Sequence, residues 1–209
     1  VDQAPSLFDL GLMEDLNGQL DDETLNSFAN GIIEACTLDG EMAFYPIDVQ
    51  PSAVIYRKDR FDEAGLSVPK TWDEFLECAK ALTVDSDGDG EIAQWGFSMV
   101  GSNNSSGQSR FQSYLWSQGF TLVEQDGGEW TTDIGSDGFL DAFTFWTNMN
   151  NVDGVVPTGI TEVDYATAAN YFAMGYTSMI LSGSNAMGVA YANNPDLEGK
   201  LGSFPIPGD

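Results

Sequence analysis

Histidine is absent from the 209-residue sequence. Its absence excludes the Ser–His–Asp and Cys–His arrangements that activate a nucleophile, and it excludes zinc sites that use histidine ligands. Cysteine is scarce as well, because only Cys36 and Cys78 occur, each beside apolar positions of a predicted helix. Sequence alone cannot place two cysteines within bonding distance, so a disulfide stays open, but we expect buried free thiols.

Basic residues are also few, at 7 against 33 acidic residues, and the formal net charge is −26. Phosphates of nucleic acids need lysine and arginine, so we expect no nucleic-acid partner. Polyanionic ligands are disfavoured for the same reason, whereas cationic ligands stay open. We interpret the negative charge itself as a solvated surface that keeps the protein soluble.

Long apolar runs are missing too, since no run of this sequence approaches the roughly 20 residues that cross a bilayer. The first residues show no signal-peptide pattern, and we therefore expect a mature or trimmed chain. We expect no organic cofactor.

The most informative stretch of the sequence is residues 44–59, F-Y-P-I-D-V-Q-P-S-A-V-I-Y-R-K-D. Pro46 and Pro51 cannot donate backbone hydrogen bonds, so they bound an extended segment. Residues 52–56 are rich in β-branched and aromatic side chains, which predicts a buried strand. The strand ends in Y-R-K-D, and the motifs A-G-L and P-K-T-W-D-E-F follow between residues 64 and 75.

A second stretch, residues 171–185, holds Phe172, Gly175, Met179 and Gly183 in the spacing F-x-x-G-x-x-x-M-x-x-x-G. Together the two stretches resemble the bacterial extracellular solute-binding proteins, the family that includes the maltose-binding proteins. In that family the second pattern is F-x-x-G-x-x-A-M-x-x-x-G-x-W, in which a helix closes on glycine, a strand follows and another helix begins. Here asparagine stands in place of the tryptophan that stacks on sugar in relatives.

The resemblance implies an α/β protein with the periplasmic-binding-protein type II fold, represented mainly by the second lobe and part of the first. We expect residues 1–55 to form part of lobe one and residues 56–209 to form most of lobe two. The family's opening strand and helix, second crossover and C-terminal helices have no counterpart, so we expect a chain truncated at both ends. Such a fold binds a solute by a hinge motion that closes the two lobes.

Local patterns predict individual elements of secondary structure. Residues 4–8 resemble the end of a strand, and Asp22 is placed to cap one helix that runs roughly to Thr37. The capping box T-x-x-E at 71–74 begins a helix whose spacing places Trp72 in the core. Further predicted elements are a strand at 95–100, a polar loop at 101–109 and a helix at 136–152.

The segment D-S-D-G-D-G-E-I-A-Q at 85–94 matches the first half of an EF-hand loop. Acids at alternate positions let carboxylates converge on a cation while glycine makes the sharp turn. The closing glutamate of an EF-hand is absent, so we do not expect a complete helix–loop–helix. The alternative is an acidic turn without metal. The predicted ligands of a structural Ca²⁺ site are Asp85, Asp87, Asp89, Glu91 through its carbonyl, and Gln94.

The resemblance also implies positions for contacts to a ligand. In relatives these come from the segment after Pro46, from the junction of a loop and a helix, and from the helix that follows Gly183. Planar polar side chains and an aromatic face suit the hydroxyls and C–H surfaces of sugars. In the alternative, the residues after Pro46 are solvated and Phe111 belongs to the core. The implied ligand residues are Asp48, Gln50, Arg110, Phe111, Ser184 and Asn185.

The function implied by the resemblance is that of an extracytoplasmic receptor, either periplasmic or a cell-surface lipoprotein. It would pass a sugar or oligosaccharide to the permease subunits of an ABC importer, as a monomer and without enzymatic activity. Two alternatives come from other classes: a glycosidase with paired carboxylates, and a calcium-stabilised module that binds a protein partner. Within the receptor class, a non-sugar solute such as a polyamine stays open. Release of reducing sugar from glycans would favour the glycosidase.

Overall fold

The computed structural model describes residues 4–47, 49, 51–86 and 88–208. Contacts divide the chain into two units, Val1–Gln50 and Pro51–Asp209. The proposed ligand residues Asp48 and Gln50 and the proposed calcium ligand Asp87 lie outside the described residues.

The first unit consists of short helices and a hairpin. Residues 4–8, predicted as the end of a strand, lie instead in a helix, so that prediction was wrong. Pro5 falls in its first turn, where the missing N–H of proline costs no helical hydrogen bond. The elements are α1 (Ala4–Asp9), α2 (Asp22–Asn26), α3 (Asn30–Ala35), β1 (Thr37–Leu38) and β2 (Glu41–Met42).

The single helix predicted from Asp22 is divided into α2 and α3. Asp21 caps α2 by accepting a hydrogen bond from the Thr24 N–H at 2.8 Å. Helix α2 then ends at Asn26, and the next residue, Ser27, caps it: the Ser27 hydroxyl donates to the Thr24 carbonyl at 2.7 Å. Serine side chains compete with the backbone for hydrogen bonds in this way, and the competition favours helix ends over helix interiors.

The second unit alternates helices with strands. Ile160–Glu162 and Pro195–Leu197 form single 3₁₀ turns. The elements are β3 (Ala53–Arg57), α4 (Lys58–Ala64), α5 (Trp72–Ala81), β4 (Trp95–Ser98), α6 (Ser105–Ser117), β5 (Glu124–Asp126), β6 (Glu129–Thr131), α7 (Asp137–Asn151), α8 (Tyr165–Ala173), β7 (Thr177–Ser182), α9 (Asn185–Asn193) and β8 (Leu201–Phe204).

The main sheet has the strand order β4-β7-β3-β8. Strand β4 runs parallel to β7, whereas β3 runs antiparallel to both β7 and β8. The register pairs Ala53 with Ser182 and Val54 with Phe204, so β7 and β8 end at the edge where β3 begins. We call this the Ser182 edge. Because β3 pairs along its whole length within the second unit, the boundary predicted after residue 55 falls inside a strand.

The core of the second unit fills both faces of this sheet. Every residue of β7 is buried, as expected for a strand covered by helices on both sides. An aromatic cluster joins α5, α6 and α7 to β4: Trp72 lies edge-on to Tyr114 at 4.7 Å between ring centroids, and Phe75 lies edge-on to Phe97 at 5.1 Å. The core position predicted for Trp72 is confirmed, and its indole N–H donates to the Ser117 hydroxyl at 2.9 Å.

Several other local predictions are confirmed. Thr71 caps α5 by accepting from the Glu74 N–H at 3.2 Å, and the Glu74 carboxylate accepts from the Lys70 N–H at 2.7 Å. Helix α7 begins after Ser136, as predicted. Both cysteines are buried free thiols. In the described part of the chain, no helix is long and apolar enough to span a membrane.

Candidate functional site

Polar side chains collect at the Ser182 edge of the second unit. Strands β4 and β7 are parallel neighbours, so the loops after Ser98 and after Ser182 leave the sheet on the same side. This is the side on which open α/β sheets bind ligands. The chain also enters the second unit here, because β3 begins at Ala53 opposite Ser182.

The loop between β4 and α6 is held in place by its own backbone and by one cap. The Asn104 side chain accepts hydrogen bonds from the N–H groups of Ser106 and Gly107 at 3.0 and 3.1 Å, and it thereby begins α6. A Cβ atom on Gly107 would lie 2.3 Å from the Ser102 carbonyl oxygen, so glycine allows the loop to pack on the first helical turn. The polar loop predicted at 101–109 therefore already becomes helix at Ser105.

A second anchor ties this loop to the beginning of α8. The N–H groups of Gly101 and Ser102 both donate to the Val163 carbonyl at 3.1 Å. Asp164 then caps α8 by accepting from the Thr167 N–H at 2.8 Å. This hydrogen bond holds the pKa of the Asp164 carboxyl below its usual value. The consequence is a fixed position for Tyr165, the first residue of α8.

Four side chains from three helices and one strand meet at this edge, and we call them the Arg110–Asn185 cluster. The guanidinium carbon of Arg110 lies 4.5 Å from the centroid of the Tyr165 ring. The Ser182 Oγ lies 3.3 Å from the Tyr165 hydroxyl and 3.5 Å from the Asn185 Oδ1. The cluster thus consists of Arg110, Tyr165, Ser182 and Asn185.

Arg110 is half-buried, and burial lowers the pKa of its guanidinium while Tyr165 acts in the opposite direction. Its Nη1 donates to the Ser106 carbonyl at 3.3 Å and to the Ser109 hydroxyl at 2.9 Å. In the described part of the chain, no carboxylate forms an ion pair with Arg110. A guanidinium carries five N–H donors, so the group retains donors for a bound solute.

The hydroxyl and amide groups of the cluster also keep hydrogen-bonding capacity. Ser182 has a single hydroxyl proton, and its distances to Tyr165 and Asn185 are both longer than a well-formed O–H···O bond. The Asn185 side chain is exposed at the first position of α9. Ser184, the residue before it, is exposed and makes no capping hydrogen bond with its side chain. Donors and acceptors are therefore available to several hydroxyl groups at once.

Beside the cluster lies an open cavity of about 730 Å³, which we call the α6–α7 groove. Its polar wall is the loop after β4, and its aromatic wall comes from α6 and α7. Phe111 lies in this wall and also packs against the core, so the two interpretations of Phe111 are compatible. The lining residues are Val100, Gly101, Ser102, Asn103, Asn104, Ser105, Gly107, Gln108, Phe111, Phe143 and Trp146.

The structure brings together some of the residues that the resemblance implied. Arg110 and Asn185 belong to one cluster, and Phe111 lies in the neighbouring groove, whereas Ser184 is only adjacent to Asn185. Sequence reasoning missed Tyr165 and Ser182, which connect the two predicted residues. The capping aspartate before Tyr165 was a signal for a helix start, but nothing in the sequence placed that start beside Arg110.

Side chains of the predicted calcium loop form hydrogen bonds with nearby backbone groups. Asp85 accepts hydrogen bonds from the N–H groups of Gly88 and Gly90 at 2.8 and 3.0 Å. Asp89 accepts from the Glu91 N–H at 2.8 Å. The Gln94 amide donates to the Leu82 carbonyl at 2.7 Å. The described residues contain no group of three or more acidic or cysteine side chains that could hold a metal ion, so calcium here stays a prediction.

Comparison with known proteins places this geometry in a family. The family model for bacterial extracellular solute-binding proteins matches residues 2–209. The diacetylchitobiose binding protein of Streptomyces coelicolor is 24% identical over 209 residues, which cover 99% of this chain and 46% of that protein.

Solved structures agree with this assignment. An ABC transporter solute-binding protein from Thermotoga lettingae, bound with α-D-tagatose, matches with a TM-score of 0.84 at 22% identity, over 99% of this chain and 52% of that chain. The maltose-bound MalE3 of T. maritima matches with a TM-score of 0.80 at 26% identity. This match covers 93% of this chain and 48% of that chain. The chain therefore spans about half the length of the relatives it matches. The predicted α/β periplasmic-binding fold is confirmed, and the chain belongs to the bacterial extracellular solute-binding protein family.

Proposed function

We propose that this chain is part of the solute receptor of an ABC importer and binds a carbohydrate at the Arg110–Asn185 cluster. The observation that carries the proposal is a group of three polar side chains around the Tyr165 ring, Arg110, Ser182 and Asn185, with unused hydrogen-bonding capacity. Sugars need this combination, because each ring presents several hydroxyls and an apolar C–H surface. The relatives named above bind diacetylchitobiose, tagatose and maltose, which supports the class of ligand.

In this function the solute is bound and released without covalent change. Arg110 would donate to ring or hydroxyl oxygens, while Asn185 offers both a donor and an acceptor. Loaded receptor would then be recognised by the permease subunits of the importer, outside the cytoplasm, in the periplasm or as a lipoprotein on the cell surface. The family and its structural neighbours are binding proteins, which agrees with a role other than catalysis.

The alternatives fit the cluster less well. A glycosidase needs two carboxyl groups on either side of the scissile bond. The four residues of the Arg110–Asn185 cluster include no carboxylate, and the described Asp164 beside it caps a helix. A polyamine receptor would have to accept a cation next to Arg110, which Coulomb repulsion disfavours.

Replacement of Asn185 tests the proposed site. We expect Asn185→Ala to weaken sugar binding by about tenfold, because a site built for hydroxyls loses about 1–3 kcal/mol when one partner is removed. The measurement is calorimetry of the full-length protein with maltose, maltotriose, N-acetylglucosamine and diacetylchitobiose. The matched control is Asn193→Ala, at the other end of α9, where the amide donates to the Val189 carbonyl of the same helix. Equal affinities for wild type and Asn185→Ala would place the site elsewhere.

We also propose, from the spacing of the acids, that the loop at 85–94 binds a structural Ca²⁺ ion. Calcium at about 100 times its Kd stabilises a protein by about 2.7 kcal/mol, so we expect it to raise the melting temperature by about 5 °C relative to chelator. Asp85→Asn should abolish that increment, whereas Asp141→Asn on the exposed side of α7 should preserve it. Identical melting of wild type in calcium and in chelator would contradict the proposal.

A further inference from the structure

Another cavity of the second unit lies toward the end of α6 that points away from the Arg110–Asn185 cluster. Residues from the start of α5, the end of α6 and the first half of α7 line it. Its volume of about 380 Å³ is within the range of about 300–1,000 Å³ that ligand pockets usually have. Gln118, the residue after α6, lies about 12 Å along the helix axis from Arg110, and we call this space the Gln118 cavity.

Two phenylalanine rings give the Gln118 cavity an apolar wall. Phe120 and Phe145 both line it and are half-buried. The Phe145 ring stacks on Tyr114, which is buried, with 6.2 Å between ring centroids and 11° between the ring planes. Gly138 leaves space for the other ring, because a Cβ atom there would lie 2.6 Å from the Cζ atom of Phe120. Rings that are held in place in this way contact an apolar ligand at little cost in conformational entropy.

The mouth of the cavity carries two carboxylates from different helices. Asp73 of α5 and Asp141 of α7 line the cavity and are exposed to solvent. In the described part of the chain, no lysine or arginine forms an ion pair with either of them. The net charge of −26 adds a negative potential that attracts cations to the surface. The mouth therefore suits an ammonium or guanidinium group, which donates charge-assisted hydrogen bonds to carboxylates.

The interior of the cavity holds a hydrogen-bond donor without a partner. The Nε2 atom of Gln118 is buried and makes no hydrogen bond with any described residue. An unpaired polar atom in a protein interior calls for a missing partner, and an amide NH₂ group can only donate. The partner of this atom is therefore an acceptor, such as a carbonyl or hydroxyl oxygen.

The order of these groups restricts the ligand. Its acceptor has to reach the buried amide, while its cation stays at the exposed carboxylates. A lysine or arginine side chain of a partner protein would enter in the opposite orientation, with the cation first and the backbone carbonyl outside. The arrangement thus favours a free molecule over a docked protein.

We propose that the Gln118 cavity binds a small organic cation. The ammonium or guanidinium group of this ligand pairs with Asp73 and Asp141, its apolar body packs on Phe120 and Phe145, and its oxygen acceptor binds the Gln118 amide. The inference goes beyond the proposed function, because no residue of this cavity belongs to the Arg110–Asn185 cluster or to the α6–α7 groove.

Calorimetry of the full-length protein tests the inference with 6-aminohexanamide, which carries an ammonium group and an amide at opposite ends of an aliphatic chain. Hexanamide, which lacks the ammonium group, is the neutral comparison. We expect the cation to bind at least about tenfold more tightly than hexanamide. The double variant Asp73→Asn/Asp141→Asn should remove most of that difference.

The matched control is the double variant Asp62→Asn/Asp196→Asn. It changes the net charge by the same amount at two exposed residues that do not line the cavity, so the preference for the cation should remain. Gln118→Leu removes the donor but keeps a side chain of similar size. We expect it to weaken binding of 6-aminohexanamide by about fivefold. The urea concentration of half-unfolding should not fall, because the Gln118 amide nitrogen loses no hydrogen bond.

Three results would overturn the inference. The first is equal affinity for the two amides, and the second is an undiminished preference for the cation in Asp73→Asn/Asp141→Asn. The third is displacement of 6-aminohexanamide by a saturating sugar, which would place the cation at the Arg110–Asn185 cluster. We expect sugar affinity in Asp73→Asn/Asp141→Asn to stay within about twofold of wild type, so failure of either proposal leaves the other standing.

Discussion

We expect Gly96→Ala to lower the free energy of unfolding by about 3 kcal/mol, the upper end of the usual cost of overpacking. Gly96 lies in β4, and a Cβ atom there would be 2.0 Å from the carbonyl oxygen of Ala79 in α5 and 2.5 Å from its carbonyl carbon. The obstacle is backbone, so no side-chain rotation relieves the clash. Helix α5 would have to move away from the sheet, and its aromatic contacts with β4 would be lost.

The control for Gly96 is Gly188→Ala. Gly188 is exposed in the interior of α9, and a Cβ atom there would meet no atom within 4 Å. Alanine should therefore raise stability by about 0.5–1 kcal/mol, the usual gain in a helix interior. Urea unfolding followed by circular dichroism measures both variants. If Gly96→Ala unfolds at the same urea concentration as wild type, α5 does not pack on β4 as closely as described.

The second large effect concerns binding: we expect Tyr165→Ala to weaken affinity for the sugar by about 100-fold, or about 2.7 kcal/mol. Tyr165 supports the Arg110 guanidinium with its ring, an interaction of about 0.5–2 kcal/mol. Its hydroxyl also lies against Ser182, so alanine removes a platform and a hydrogen-bonding group together. Without the ring, Arg110 is free to adopt other rotamers and is no longer oriented toward a ligand.

Two further variants separate these contributions. Tyr165→Phe keeps the ring and loses only the hydroxyl, so we expect a loss of about tenfold or less. Tyr176→Ala is the control. Tyr176 is 46% exposed and directly precedes β7, so it lies at the opposite end of the sheet from the Ser182 edge. Its replacement should leave the affinity for the sugar unchanged. Calorimetry with the best sugar of the panel is the measurement, and circular dichroism checks the fold. Wild-type affinity in Tyr165→Ala would show that the cluster does not bind the solute.

The strands and helices that could be predicted from the sequence are those with strong local signals. The β-branched run before Tyr56 became β3, and the capping box at Thr71 began α5. The predicted strand at 4–8 and the predicted single helix from Asp22, which were both wrong, fall in the first unit, where elements are short. A helix of six residues such as Ala4–Asp9 shows less than two turns of periodicity, so its pattern cannot be distinguished from that of a strand.

The candidate site could be predicted only in part. Arg110 and Asn185 were implied by the family resemblance, whereas Tyr165 and Ser182 carried no signal of their own. Asp48 and Gln50 lie outside the described residues, and their contact with a ligand stays a prediction. The groove was not foreseen, because the sequence predicted the helix at 136–152 but not that Phe143 of this helix lies near the loop at Ser102.

The sequence by itself determined the family, the order of the main elements in the second unit and the exclusion of histidine chemistry. These properties depend on residue types and on spacings within a few turns, which local geometry constrains directly. Only the tertiary structure decided which side chains share a site. Parallel pairing of β4 with β7 brings the loop at Ser102 to the start of α9, and the Val163 carbonyl places Tyr165 beneath Arg110. Those contacts join residues far apart in the sequence, and no local pattern encodes the pairing of strands that creates them.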